Sequence, residues 1–481
     1  MRDDVATAAR TDRLLTRKTG FLWLALVLAL GLPAACTPTY VLDVTVDFDA
    51  GTFAGSSVVT VENEMATLLD HLCFRLFPNA YAIYGTAAVS VLEVSVDGSA
   101  TSFVTDQDET VLVVPLSRSL DLGEVIELRF VFEGSAAIHT EADWPAEEYG
   151  LMTRTGSTMT LSAFYPLLAP YTDEGWAIDP VTTYGDAVMA DASEYFVTLT
   201  APSDVSAYAT GRRIGAVAED GTAVYSFSAT AARDFAIVLV ESVVESERSV
   251  DGITLRAAFL PQHSSAVAVA LDCAEDAVRL FGERIGPLPY EEIDIVDVPM
   301  FRAAGMEFSG LILVASAYSA TPNDPFFSVI VSHELAHQWF YAAVGNDVSE
   351  APWLDEGFAT YLSYVYLENA FADGIGTLYL DSWRQSFERA RTSYPDCTIT
   401  TPAHAFPNAE AYRVFVYDGA ALFWHAVRSA LGDEGFYALL KAYYQSYAGR
   451  IASTDNMIDV LLSTQDPAVL DAMIDYGVLH P

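Results

Sequence analysis

His333, Glu334 and His337 stand in the apolar run VIVSHELAHQWFYAAVG, residues 329–345. On an α-helix, residues four apart share a face and differ by roughly 40° around the axis. Two imidazoles at that spacing can offer nitrogens to one metal ion. Glu334 then points to one side of the ion, where its carboxylate can take a proton from a bound water. That is the mechanical content of H-E-x-x-H. Zinc with three protein ligands keeps its fourth position for water and lowers the water's pKa to about 7. The pentapeptide alone also occurs in amphipathic helices that merely carry a polar face, so a third ligand decides more. Glu356, in PWLDEGFATYLSY (352–364), lies nineteen residues after His337 on the next predicted helix. Antiparallel packing of the two helices brings it to the open side of the histidine pair. Taken singly, Glu356 reads equally as a carboxylate at a helix N-terminus, favoured by the macrodipole. The joint pattern argues for a ligand.

These residues need elements to hold them. An Asp-Pro start at Asp324–Pro325 predicts a helix over 324–345, about five turns, stopping at Gly345. LDEGFATYLSYVYLENAF (354–371) and VYDGAALFWHAVRSAL (416–431) predict two more, and 433–481 is mainly helical. Upstream, GITLRAAFL (252–260) and IDIVDVP (293–299) read as strands separated by a helix near 264–285. From Tyr40 to about Glu245 the texture is different. Short alternating runs such as YVLDVTVDFD (40–49) and VIELRFVFEG (125–134), punctuated by Gly, Asp and Pro, predict an antiparallel β domain. The expected class is α+β. An N-terminal β domain (36–248) precedes a mixed α/β catalytic domain (249–481) with a mainly helical C-terminus.

HELAHQWF followed by WLDEGFATYL resembles the gluzincin metallopeptidases of the aminopeptidase N and leukotriene hydrolase family, in which H-E-x-x-H and a glutamate are separated by eighteen residues; here that spacer is 338–355. The resemblance implies a thermolysin-like catalytic domain and one zinc ion per chain. His333, His337 and Glu356 would be its ligands and Glu334 the general base. AAGMEFSGLIL (303–313) resembles the family's Gly-Ala-Met-Glu-Asn strand in a Gly-Met-Glu form. It implies that Gly305, Met306 and Glu307 line a strand pairing with substrate backbone, with Glu307 on the substrate's free amine. VYDGAALFWHAVR (416–428) resembles the segment bearing a catalytic tyrosine, which falls on Tyr417; Tyr412 is the competing candidate. The segment departs from the family in carrying Gly419-Ala420-Ala421. The likeness extends over nearly all of 40–430, through LCFRLFPNA, FYPLLAPYTDEGW and ARDFAIVLVE. A second amine-binding residue is not assigned; Glu141, Glu147 and Glu148 are acids in the region. The chain also stops where long members continue into a large helical domain.

The chain of 481 residues is 52% hydrophobic, which excludes wholesale disorder. Its 65 acidic residues outnumber 24 basic ones, for a formal charge of −41. Such a field excludes nucleic acid as a partner. Arg10, Arg13, Arg17 and Lys18 precede FLWLALVLALGL (21–32) and then PAAC (33–36). This reads as an export signal over 1–35, and LPAAC resembles a lipobox whose Cys36 would carry a membrane-anchoring lipid. The expected location is therefore the outside of a bacterial membrane, at the cell surface or in the periplasm. Cys73, Cys273 and Cys397 are too few for a disulfide framework. His71, His139, His263, His404, His425 and His480 lack partners at ligand spacing.

The expected function is zinc-dependent hydrolysis of peptides, releasing N-terminal residues. Two alternatives stay open. One is an endopeptidase or small-molecule hydrolase on the same zinc site; the other is a surface binding protein on an inactive scaffold.

Overall fold

A computed structural model describes residues 37–140, 149–371 and 374–479. The expected signal segment with Cys36, the acids Glu141, Glu147 and Glu148, and His480 lie outside the described residues.

The first half is β apart from a short helical stretch, Phe77–Asn79 and Tyr81–Tyr84. Alternating runs bury every second side chain, as in Thr39–Asp47 and Thr52–Glu62. They build an eight-stranded sheet in the order Arg212–Glu219, Thr222–Ala232, Ser193–Pro202, Thr39–Asp47, Thr52–Glu62, Val125–Ser135, Ala88–Val96, Ser99–Thr101. In this sheet one pair departs from the antiparallel expectation: Thr39–Asp47 runs parallel to Ser193–Pro202, with Thr39 beside Glu194; in the five-stranded sheet Ala137–His139 and Thr153–Thr155 are parallel too. Thr39–Asp47 and Ser193–Pro202 are far apart in sequence, so no hairpin dictates their sense. Sheets of five and four strands share one core with the large sheet, through Phe74, Phe130, Tyr195 and Ile237.

The second half opens with a hairpin, β1 (Val244–Val250) and β2 (Ile253–Phe259), turned at Asp251-Gly252, both with positive φ. β1 spans residues 244–250, so the 248/249 boundary expected from the sequence falls within a strand of this hairpin. Helix α1 (Ala266–Arg284) then crosses to β3 (Glu292–Val298), parallel to β2. β4 (Gly305–Phe308) and β5 (Leu311–Ala315) form a second hairpin, with β5 parallel to β3. The sheet order is β1-β2-β3-β5-β4, which leaves β4, the Gly-Met-Glu strand, at the edge.

Helix α2 (Pro325–Ala336) carries the histidines; the Asp324 side chain caps it by accepting from the Phe326 N–H at 3.0 Å. It is shorter than the five turns expected from the sequence and gives way at His337. The cause comes from elsewhere in the chain. Arg233, buried in the first domain, donates to the carbonyls of Tyr341, Ala342 and Ala343, and also to those of Ala190 and Arg450. Carbonyls turned toward a guanidinium cannot continue a regular helix. Gly345 is needed there, because a Cβ at that position would lie 2.6 Å from the Arg233 Cζ.

Helix α3 (Glu356–Ala370) packs on α2, and on its other side against α4 (Ala420–Tyr447). The α3–α4 approach is close: a Cβ on Gly357 would meet that of Ala420 at 2.6 Å. Phe358 and Trp424 stack beside it, centroids 4.0 Å apart. The run 416–431 is not one uniform helix, since Val414–Gly419 forms a π-helical turn before α4 begins. Among the described residues the three cysteines are free, two of them buried.

Candidate metal centre

His333 and His337 share the face of α2 that meets the first turn of α3, where Glu356 stands. Their donor atoms form a small triangle. His333 Nε2 is 3.1 Å from His337 Nε2 and 3.1 Å from Glu356 Oε2, and His337 Nε2 is 3.4 Å from the same oxygen. Three donors about 2.1 Å from one ion at tetrahedral angles stand roughly 3.3 Å apart, so the triangle has the dimensions of a zinc site. Neutral nitrogens and a carboxylate are also the donor set zinc prefers. His337 Nδ1 donates to the Phe340 carbonyl at 3.1 Å, which fixes the ring and leaves Nε2 for the metal. That hydrogen bond depends on the early end of α2.

The electrostatics in the metal-free protein are those of a crowded acidic pocket. Burial works against an ionised Glu356, yet hydrogen bonds from both histidines hold it well below the usual carboxylate range. Burial draws His333 down; it acts on His337 too, but the Glu356 carboxylate beside it pushes His337 up to about 9. Glu334, pushed up to about 8 chiefly by burial, has a carboxyl oxygen that nothing in the protein satisfies. A buried acid with one free oxygen and a raised pKa beside a metal triangle is suited to moving a proton.

β4 approaches this acid from the other side. Gly305 faces Glu334 so closely that any Cβ there would overlap its carboxyl group. Gly305→Ala is therefore expected to displace Glu334 and lower kcat about 10²-fold, with zinc content unchanged. Equal loss of zinc and activity would instead mean a collapsed centre.

Glu307, on the same strand, is buried and hydrogen-bonded to Asp186, and Glu334 hydrogen-bonds Glu307 in turn. Desolvation first, and then Asp186, Glu334 and Glu356, push Glu307 well above its ordinary value. Three carboxyl groups in a row can be held together only by shared protons or by a cation. Asp186 comes from the first domain, in the loop sequence YGDAV, which matches no motif and lies 121 residues before Glu307. Sequence reasoning missed it, and no spacing signal could have found it.

Gln338 ties the two halves of the site together. Its amide accepts from the Gly310 N–H at 2.8 Å and donates to the Phe308 carbonyl at 3.0 Å, clamping the β4–β5 turn to the end of α2.

Tyr417 projects from the π turn, where such turns often reshape a functional site. Its hydroxyl donates to Glu356 Oε1, and its ring lies parallel to His333 at 6.1 Å. Burial keeps its hydroxyl protonated, so it can donate a hydrogen bond. Tyr412 is also buried, but its hydroxyl has no partner and presses against Gly185 rather than the metal triangle. Met306 is half-buried and borders a pocket with Glu307. His404 is exposed near Glu350, and His425 packs among Tyr361 and Tyr364.

A helix-borne H-E-x-x-H, a glutamate from the following helix and an edge strand facing both define a gluzincin-type metal centre. Residues 269–476 match the Peptidase family M1 domain. The chain is 29% identical over 216 residues to Aminopeptidase M1-A of Oryza sativa subsp. japonica, covering 43% of this chain and 25% of that protein. To Aminopeptidase N of Lactobacillus delbrueckii subsp. lactis it is 27% identical over 218 residues, covering 41% and 25%. The match thus spans about a quarter of the length of these relatives. Among solved structures, an M1 zinc metallopeptidase from Deinococcus radiodurans superposes with a TM-score of 0.68 at 21% identity, covering 94% of this chain and 96% of that one. A point mutant of that Deinococcus protein bound to a Tyr-Ser-Ala substrate gives a TM-score of 0.65 at 20% identity. The two-domain fold is shared across nearly the whole of both chains.

Proposed function

We propose that the protein is a zinc aminopeptidase that releases N-terminal residues from peptides. The observation that carries this reading is the contact between half-buried Asp186, from the first domain, and buried Glu307, on the edge strand beside the His333–His337–Glu356 triangle. Acids in contact are held together by a shared proton or by a cation, and a peptide's α-ammonium is a cation that can take the proton's place.

A zinc ion held by His333, His337 and Glu356 would supply Lewis acidity, acidifying a water and polarising the scissile carbonyl. The chain's own residues do the rest. The exposed edge of β4 receives the peptide backbone as an added strand. Glu307 and Asp186 hold the ammonium, which places the first peptide bond beside Glu334. Glu334 takes the proton of the attacking water and returns it to the leaving amine. Tyr417 turns its hydroxyl from Glu356 to the oxyanion that the carbonyl oxygen becomes when its carbon is attacked.

The test compares a peptide with its N-acetylated form. Free-amine peptides are expected to be cut at least about 10²-fold faster, since acetylation removes the charge that the acid pair needs. Equal rates would favour an endopeptidase on the same centre. The same acids on a zinc-binding scaffold without any turnover would leave a binding protein.

The export and anchoring reading is also a proposal. The basic start, the apolar run 21–32 and LPAAC support a lipid on Cys36 at a bacterial membrane surface. A Cys36→Ala chain should lose labelling by a fatty-acid analogue and leave the membrane fraction; unchanged labelling would refute the lipid site.

A further inference from the structure

Two contacts fix how α2 lies along β4. Gln338, just past the end of α2, holds the Phe308 carbonyl and the Gly310 N–H. One turn back, Glu334 lies against Gly305. Residue numbers therefore fall in the same direction along both elements, from the β4–β5 turn toward the start of β4. On this axis Glu307 comes first, and Gly305 with the base Glu334 comes next. A peptide whose ammonium sits at Glu307 thus sends its downstream residues past Gly305, toward the N-terminal end of α2.

That end of the groove carries exposed aromatic surface. Phe326 stands seven residues before His333, so helical geometry puts it on the metal-binding face, within roughly 20° of His333 and about 10 Å away along the axis. Val329 lies between them and is partly exposed. Tyr318 belongs to the short helix Ser316–Ser319 that follows β5. Its ring meets that of Phe326 edge to face, with centroids 5.3 Å apart. Both rings stay in reach of solvent, 36% and 37% exposed. Phe327, Ile330 and Val331 supply the core side of α2, and the Phe326 ring stands outside that core.

We propose that Tyr318 and Phe326 form a platform for the peptide downstream of the cut, favouring aromatic side chains at the second and third residues after the scissile bond. The inference rests on the aminopeptidase reading, since an amine held at Glu307 sets the direction and register of the peptide. The register follows from length. An extended chain rises about 3.3 Å per residue, so about 10 Å beyond His333 is about three residues. Pairing with the edge of β4 uses only the peptide backbone and is blind to sequence. The platform adds selectivity, because an aromatic ring laid against a preformed edge-to-face pair gains buried area and ring contact together. Serine at the same positions gains neither. Tyr318 and Phe326 touch no reacting atom; they are specificity-determining residues, and their effect falls on KM rather than kcat.

The experiment measures kcat and KM of the zinc-loaded protein on Leu-Ala-Phe-Phe amide and Leu-Ala-Ser-Ser amide, read as released leucine. The N-acetylated phenylalanine peptide, read as acetyl-leucine, is the control, and the amide caps remove any effect of a C-terminal charge. The phenylalanine peptide is expected to be favoured at least about tenfold in kcat/KM, mostly through KM. In the double variant Tyr318→Ala, Phe326→Ala that ratio should fall at least about fivefold. The serine peptide is the internal reference, since a folding defect lowers both rates alike. Equal kcat/KM for the two peptides in the wild type would overturn the proposal, and this comparison needs no variant. A double variant that keeps the wild-type ratio would overturn it as well. Cleavage of the acetylated peptide as fast as the free one would defeat the aminopeptidase reading and the proposal with it, and the phenylalanine-to-serine ratio keeps that failure distinct from the others.

Discussion

Glu334→Gln is expected to lower kcat about 10³-fold while the protein still binds one zinc per chain. Glutamine keeps the shape of the side chain and an accepting oxygen, but it cannot carry a proton between water and amine. General acid–base catalysis contributes about 10²–10⁴ in rate, and a 10³-fold loss corresponds to roughly 4 kcal/mol. The metal triangle of His333, His337 and Glu356 does not include Glu334, so zinc measured by elemental analysis should be unaffected. Gly305 gives the isosteric amide the same room as the acid. Retention of more than a tenth of the wild-type kcat would place the base elsewhere.

Glu307→Gln and Asp186→Asn should each lower kcat/KM for free-amine peptides by about 10²-fold, because truncating one partner of a buried charge pair costs about 2–5 kcal/mol. The two losses should be less than additive. Once one acid is gone the remaining carboxyl no longer needs a compensating cation, so the second substitution removes little more. The measurement is a double-mutant cycle run on free and acetylated forms of one peptide. The acetylated form should be indifferent to both changes, and the double variant should no longer distinguish the two forms. Strictly additive losses, equal for both forms, would mean that the acids support the strand rather than an amine. Gln338, which clamps that strand, is the place to look if they do.

Local chemistry was legible in the sequence where one helix supplies it. His333, Glu334 and His337 declare themselves by spacing, and Glu356 by its distance along the chain to the next helix start. Glu307 and Tyr417 were reachable through resemblance. The structure places both beside the triangle, Glu307 at a sheet edge and Tyr417 on a π turn. What could not be read are the contributions of chain segments far apart. Asp186 comes from the first domain, 121 residues before Glu307, and nothing in local periodicity signals its arrival. The early end of α2 was hidden for the same reason. VIVSHELAHQWFYAAVG is a plausible helix from end to end, and only Arg233 draws its last carbonyls away. The parallel pairing of Thr39–Asp47 with Ser193–Pro202 is a further case, since alternation fixes which face a strand buries and leaves the direction of a distant neighbour open.

The five carbonyls that converge on Arg233 belong to three stretches: the loop of Ala190, the segment after α2, and Arg450 beyond α4. A guanidinium keeps its charge even when buried, so it cannot escape a bad fit by losing a proton. Any tilt of one domain against the other strands either a cation or several dipoles in a low-dielectric interior. Arg233 is thus a buried brace between the two domains, alongside hydrogen bonds such as Tyr184 to the Phe406 carbonyl and the Gly211 N–H to the Ser309 carbonyl. By holding the Ala190 carbonyl, four residues after Asp186, that brace also anchors the loop that brings Asp186 to the edge strand.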